Sequence, residues 1–199
     1  LCTMRDALFA WAIDFEAGSG SAIHRVDAAT GAWKKLPVTG KLPGAVGFDA
    51  GGMCWDSKRD RLLIFSPNEK GHAGDVMSYD LKTGEAKWLA PAGAAQAGVR
   101  ARETAYLPES DTVLLGAHGK TADGKTVWPV YDCEKNAWFG AALGGADPLG
   151  KSDFDVSLGV VCDPNRKLVW AVDINSQLTV LRFDPKTAGL VPFEPASGR

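Results

Sequence analysis

The chain has 199 residues, 45% of them hydrophobic, enough to bury a good core, and a formal net charge of -2 with acidic and basic residues evenly scattered. That balance offers no basic field to nucleic acid, and no apolar run approaches the roughly 18 residues of a membrane-spanning helix. Four cysteines, at positions 2, 54, 133 and 162, lack the short paired spacing of a zinc site and are expected to be unpaired thiols.

The chain opens on Leu1-Cys2-Thr3, neither a signal peptide nor an initiator methionine, and reads as a cut end. Leu1 to Met4 reads as a short strand, Arg5-Asp6 as a turn, and Ala7 to Ile13 as a second strand that is apolar on both faces. A strand without alternation needs cover on both sides. Arg25 to Trp33 then reads as a third strand, a tight turn and a return strand, with His24 facing a packed interior as a hydrogen-bonded core residue.

The same succession returns three times. Its doubly apolar second strands are Leu62-Leu63-Ile64-Phe65, Thr112-Val113-Leu114-Leu115 and Leu168-Val169-Trp170-Ala171-Val172, each after a short apolar strand and a polar turn. Its hairpins are Ser78 to Trp88, Val130 to Trp138 and Arg182 to Leu190. The hairpin aspartates stand at 27, 80, 132 and 184, and a fixed period of that size marks a repeat architecture. An Asp at a strand end accepts backbone hydrogen bonds from the turn that follows, and a Gly or Asn four residues on tolerates the positive φ that closes it. Gly31, Gly84 and Asn136 fill that place, while in the last copy Ala188 does not and Gly189 follows, so that turn is expected to slip by one residue. Trp33, Trp88 and Trp138 are expected to play equivalent packing roles between units.

No ten-residue helix is legible, so the fold class is all-β. Small four-stranded antiparallel sheets, repeated and covered on both faces, make a β-propeller. The chain is read as a single propeller segment, 1–199, with about four blades at approximately 1–38, 52–91, 103–140 and 157–194.

The Tyr-Asp, turn, Trp arrangement after an apolar strand resembles the kelch repeat, the blade of kelch-type and galactose-oxidase-like propellers, over nearly the whole chain. Where kelch blades carry a Gly-Gly pair, this chain has Ile13-Asp14, Ser66-Pro67, Ala117-His118 and Val172-Asp173, which makes it divergent. The resemblance implies a ring of six or seven blades. A fragment of a longer chain, a half-ring completed by another chain and a small closed four-bladed ring all remain open. A copper radical enzyme of the galactose-oxidase kind needs a tyrosine ligand and a Cys-Tyr cross-link. Tyr79 and Tyr131 are committed to the repeat turns, which leaves Tyr106 alone, so that activity is not expected.

In an antiparallel blade the first-to-second and third-to-fourth turns share one face, and the second-to-third loops and inter-blade connections share the other. The first class is uniformly short here and nearly all of the second is long, which is where binding resides on a rigid scaffold. The candidate partner-binding residues on that long-loop face are His72, Arg100, Arg102, Glu103, His118, Asp153 and Asp155. Two carboxylates at Asp153 and Asp155 could face a cation, and His72 with His118 could hold a metal or shuttle protons, but solvated loop residues account for both without a metal. No catalytic set and no cofactor is expected. The function expected is a non-enzymatic scaffold binding a protein partner, with no nucleic acid and no membrane span. The alternative is the propeller part of an oxidoreductase or carbohydrate-active enzyme whose active site is completed outside this chain.

Overall fold

Each repeat turn takes the form its residues dictate. The Asp27 carboxylate accepts from the backbone N–H groups of Ala29 and Thr30 at 2.9 and 2.8 Å, and Asp80 does the same for Lys82 and Thr83. Asp132 receives Glu134 and Lys135, and Asp184 receives Lys186. The closing residue is left-handed at Gly31, Gly84 and Asn136, and in the last turn at Gly189, one place late as expected. The computed structural model from which these contacts come describes residues 2–3, 7–14, 16–17, 20–44, 51–65, 72, 74–93, 103–121, 123–142, 144–145, 147, 159–172 and 176–192.

The described residues are all-β and form a β-propeller arc of four antiparallel sheets. Blade one is β1 (Cys2–Thr3), β2 (Ala7–Ile13), β3 (Ser21–Asp27) and β4 (Trp33–Lys35), in that order from inside to outside. Blade two is β5 (Gly52–Asp56), β6 (Arg61–Phe65), β7 (Val76–Asp80) and β8 (Ala86–Leu89). Blade three is β9 (Thr104–Leu107), β10 (Thr112–Leu115), β12 (Thr126–Asp132) and β13 (Ala137–Ala141), with β11 (Gly119–Lys120) paired to β12. Blade four is β14 (Gly159–Asp163), β15 (Leu168–Val172) and β16 (Leu178–Arg182). The innermost strands β1, β5, β9 and β14 neighbour one another in sequence order.

The core is divided among the three seams between blades, which is why the second strands are apolar on both faces. Phe9 and Ile23 of blade one meet Leu62, Ile64 and Met77 of blade two. The opposite face of blade two, with Leu63, Phe65 and Val76, meets Val113, Tyr131 and Trp138 of blade three. Trp128 and Val130 of blade three in turn meet Val160, Val169 and Ala171 of blade four.

Four local expectations are corrected. A fourth strand was expected beside β16, but β17 (Val191–Pro192) crosses to blade three and pairs with Phe139 and Gly140 on the outer edge of β13. The Asp184 turn closes one residue late, at Gly189, and an edge position suits Pro192, which has no N–H to donate. The connection from Ala117 to Thr126 is not a plain loop, because β11 extends the β12 ladder through Gly119 and Lys120. The three tryptophans are not equivalent: Trp138 is 3% exposed and donates Nε1–H to the Gly74 carbonyl at 2.8 Å, Trp88 is half-buried, and Trp33 is 60% exposed. Trp138 packs on the preceding blade, and no described blade precedes Trp33. His24 is half-buried with its Nδ1 unpartnered, its ring lying edge-on to Trp33 at 5.8 Å.

The connections between blades also differ from simple loops. Thr39 pairs in parallel with Glu85, donating to the Gly84 carbonyl and accepting from Ala86 N–H, each at 2.8 Å. Ala92 repeats this against Ala137, with Asn136 and Trp138 as its backbone partners. In these two connections the departing chain therefore covers the outer edge of the next blade, a standard protection for an exposed strand edge.

Candidate functional site

Three of the seven residues expected on the long-loop face are described: His72, Glu103 and His118. Arg100, Arg102, Asp153 and Asp155 lie outside the described residues. The Glu103 carbonyl accepts from Gly116 N–H at 3.0 Å, tying the start of β9 to the end of β10.

The two loop histidines are each held by a carboxylate, through different ring nitrogens. His72 Nδ1 lies 2.8 Å from Asp75 Oδ2, and its ring stacks flat on the Trp88 indole, with centroids 4.1 Å apart and planes 9° from parallel. Trp88 lies within the fourth strand of blade two, so a rigid aromatic floor orients a loop imidazole that stays partly open to solvent. His118 Nε2 lies 2.6 Å from Asp147 Oδ2, and Asp147 Oδ1 accepts from Trp128 Nε1–H at 3.2 Å. His118 is the more enclosed of the two. An aspartate that fixes an imidazole is also the orienting half of a general base. Among the described residues, no Ser, Thr or Cys hydrogen-bonds either ring. On the same face Asp123 pairs with Lys125 and with the Thr121 hydroxyl, which together hold its carboxyl down at about 2.

A second polar centre, absent from the sequence reading, lies on the short-turn face at the seam between blades two and three. Asp56 ends β5 and is 0% exposed. Its carboxylate accepts from the N–H groups of Lys58 and Arg59, from the Arg59 guanidinium at 3.1 Å and from Arg61 Nε at 2.8 Å. Arg59 also crosses the seam and grips Asp111 of blade three with both terminal nitrogens, at 2.9 and 2.7 Å. Tyr106 donates its hydroxyl to Asp111 Oδ1 at 3.0 Å. The Asp111 contacts to Arg59 raise the guanidinium pKa further. Burial alone would raise the Asp111 carboxyl, but hydrogen bonds from Arg59 and Tyr106 outweigh it, and the net direction is down.

Asp56, Asp111 and Cys133 bring their ligand atoms within 4.8 Å of one another, and all three are buried, so the donor geometry of a metal site is present. Its chemistry is already occupied: two guanidinium groups neutralise the carboxylates, and burial pushes the Cys133 thiol up, which keeps it protonated at neutral pH. The arrangement acts as a charged pin between blades. Neither His72 nor His118 belongs to it. The signal for it in the sequence is Asp56-x-x-Arg59, repeated as Asp163-x-x-Arg166 in blade four.

No protein-family model matches this chain, and no curated protein matches it in sequence. Solved structures do match, 102 chains in all. One is TolB from Acinetobacter baumannii, at 13% identity and a TM-score of 0.51, over 92% of this chain and 40% of that one. The chain therefore spans 40% of the length of that protein. At such low identity the likeness speaks for the fold alone, and the fold is that of a β-propeller.

Proposed function

We propose that this chain is a kelch-like propeller segment that works as a non-enzymatic scaffold and takes a protein partner on its long-loop face. The observation that carries the reading is His72, stacked on Trp88 and oriented by Asp75 while partly exposed. A rigid aromatic with a positioned hydrogen-bonding group is the composition of a protein-contact hot spot. Arg100, Arg102, Glu103, His118, Asp153 and Asp155 share that face in sequence and form the polar rim of the proposed site.

A photo-crosslinking residue placed at position 72, with Ser57 on the opposite face as the control position, tests this. A partner that crosslinks from 72 and not from 57 is expected, and His72→Ala should then weaken it about tenfold or more. Crosslinking from position 57 alone would overturn the reading. The enzyme alternative draws on the enclosed His118–Asp147 pair. It would be favoured if His118→Asn abolished a measured turnover while leaving the melting temperature unchanged.

A further inference from the structure

Blade four differs from the other blades at its outer edge, and the difference begins at the turn. In blades one to three the ladder between second and third strands ends on the turn aspartate itself, which pairs with Ala7, Arg61 and Thr112 respectively. The return strand then runs straight back along the third, with Trp33 opposite Val26, Ala86 opposite Tyr79 and Trp138 opposite Tyr131. In blade four that ladder ends with Leu168 opposite Arg182, and Asp184 stands two residues further on. A chain that turns there comes back beyond the end of β16. Phe183 and Leu190 pack into the seam with blade three, and β17 pairs with β13.

Among the described residues, therefore, no strand lies on the outer edge of β16. The two preceding blades are covered there. In blade two β8 lies on β7, and Thr39 bridges to Glu85 beside it; in blade three β13 lies on β12, and both Ala92 and β17 pair with β13. The five residues of β16 also carry no proline or lysine to blunt the edge, and Leu178 is 56% and Val180 45% exposed. An open row of backbone groups beside exposed apolar side chains is a template for an added strand. This edge is the rim of the blade and is separate from the faces that form the seams.

We propose that the outer edge of β16 takes an extended segment of a protein partner, added antiparallel as the fourth strand of blade four. Blade two shows the fit. By the ladders Arg182 holds the place of Asp80, whose N–H donates to the Glu85 carbonyl, so the partner residue facing Arg182 takes the part of Glu85. The next four, in the parts of Ala86 to Leu89, face Leu181, Val180, Thr179 and Leu178 in turn. The segment is thus about five residues long, with a carboxylate facing the exposed Arg182 and apolar side chains facing Thr179 and Leu178, because opposite charges and apolar pairs stabilise directly opposed strand positions. This contact is separate from the long-loop face and independent of the function proposed for it.

A fluorescein-labelled peptide of residues 85–90 is the probe, titrated with the 199-residue chain and followed by anisotropy. Saturable binding is expected. An added strand bonds through one of its edges only, so N-methylation at Ala86 and Trp88, or at Lys87 and Leu89, should abolish binding in one set and spare it in the other. Arg182→Glu in the chain should weaken binding about fivefold, and a Glu85→Lys peptide should recover it. His72→Ala should leave binding unchanged, and circular dichroism checks that each variant is folded. No binding, equal effects of the two methylated sets, loss with His72→Ala, or a second copy of the chain filling this edge and excluding the peptide would overturn the proposal.

Discussion

Gly84 meets two demands in one place. Its φ of +75° closes the Asp80 turn, and a Cβ built on it would lie 2.7 Å from the Pro37 carbonyl oxygen of the chain crossing from blade one. Gly31 shares the first demand, with φ +70° and nothing within 4 Å, but not the second. Gly31→Ala should therefore cost about 1–2 kcal/mol from backbone strain alone, and Gly84→Ala clearly more, as read by urea melts. Equal costs would mean that the crossing chain does not hold the turn. The tryptophans divide in the same way. Trp138→Ala should cost about 3–5 kcal/mol through the cavity it leaves, whereas Trp33→Ala should stay within about 0.5 kcal/mol. These differences mark the limit of the sequence reading at this scale. Asp27, Asp80 and Asp132 declared their turns because capping is a local interaction. Whether Trp33 or Trp138 is buried depends on a neighbouring blade, which no local pattern encodes.

Between elements, the seam pin is the feature that ties blade two to blade three. Breaking a buried ion pair from one side leaves an uncompensated charge, so Asp111→Asn should cost about 3 kcal/mol at neutral pH. The fold holds the Asp111 pKa below its ordinary 3.8. Its stabilisation is therefore present in full above about pH 3.8 and lost as the pH falls through the lower folded value. Denaturant melts of the parent chain and of Asp111→Asn should differ at pH 7 and pH 5, and the difference should shrink as the pH falls below 3.8. A constant difference across that range would show that Asp111 carries no charge-dependent stability. The pin was only half legible in the sequence: Asp56-x-x-Arg59 is a visible local motif, but its partner Asp111 is a full repeat away. The strand-like connections escaped for the same reason. Thr39 and Ala92 sit in short stretches broken by Pro and Gly, without alternation, and only single backbone bridges to Glu85 and Ala137 tie them to a sheet. β17 also pairs far from home, because the slipped turn at Gly189 shows in the sequence while the destination of the chain beyond it does not.

At the scale of the whole molecule, a repeat array gains stability from each unit and from each seam, so a blade with two described neighbours should outlast one with a single neighbour. Blades two and three have a seam on both sides, while blade four packs on one face and leaves Val161, Leu178 and Val180 exposed on the other. The period of the hairpin aspartates was enough to read the four units from sequence, yet the unequal standing of those units emerges only when the three seams are in view. Local opening follows burial, and amide exchange reports it residue by residue. The amides of β6, β7, β10 and β12 should exchange slowest, near the global unfolding limit, and those of β15 and β16 should exchange through a smaller opening that leaves blades two and three intact. Adding denaturant in small steps should merge the two classes only close to the unfolding midpoint. If β16 is protected as strongly as β12, the arc unfolds as one cooperative unit and the seams are not its independent joints.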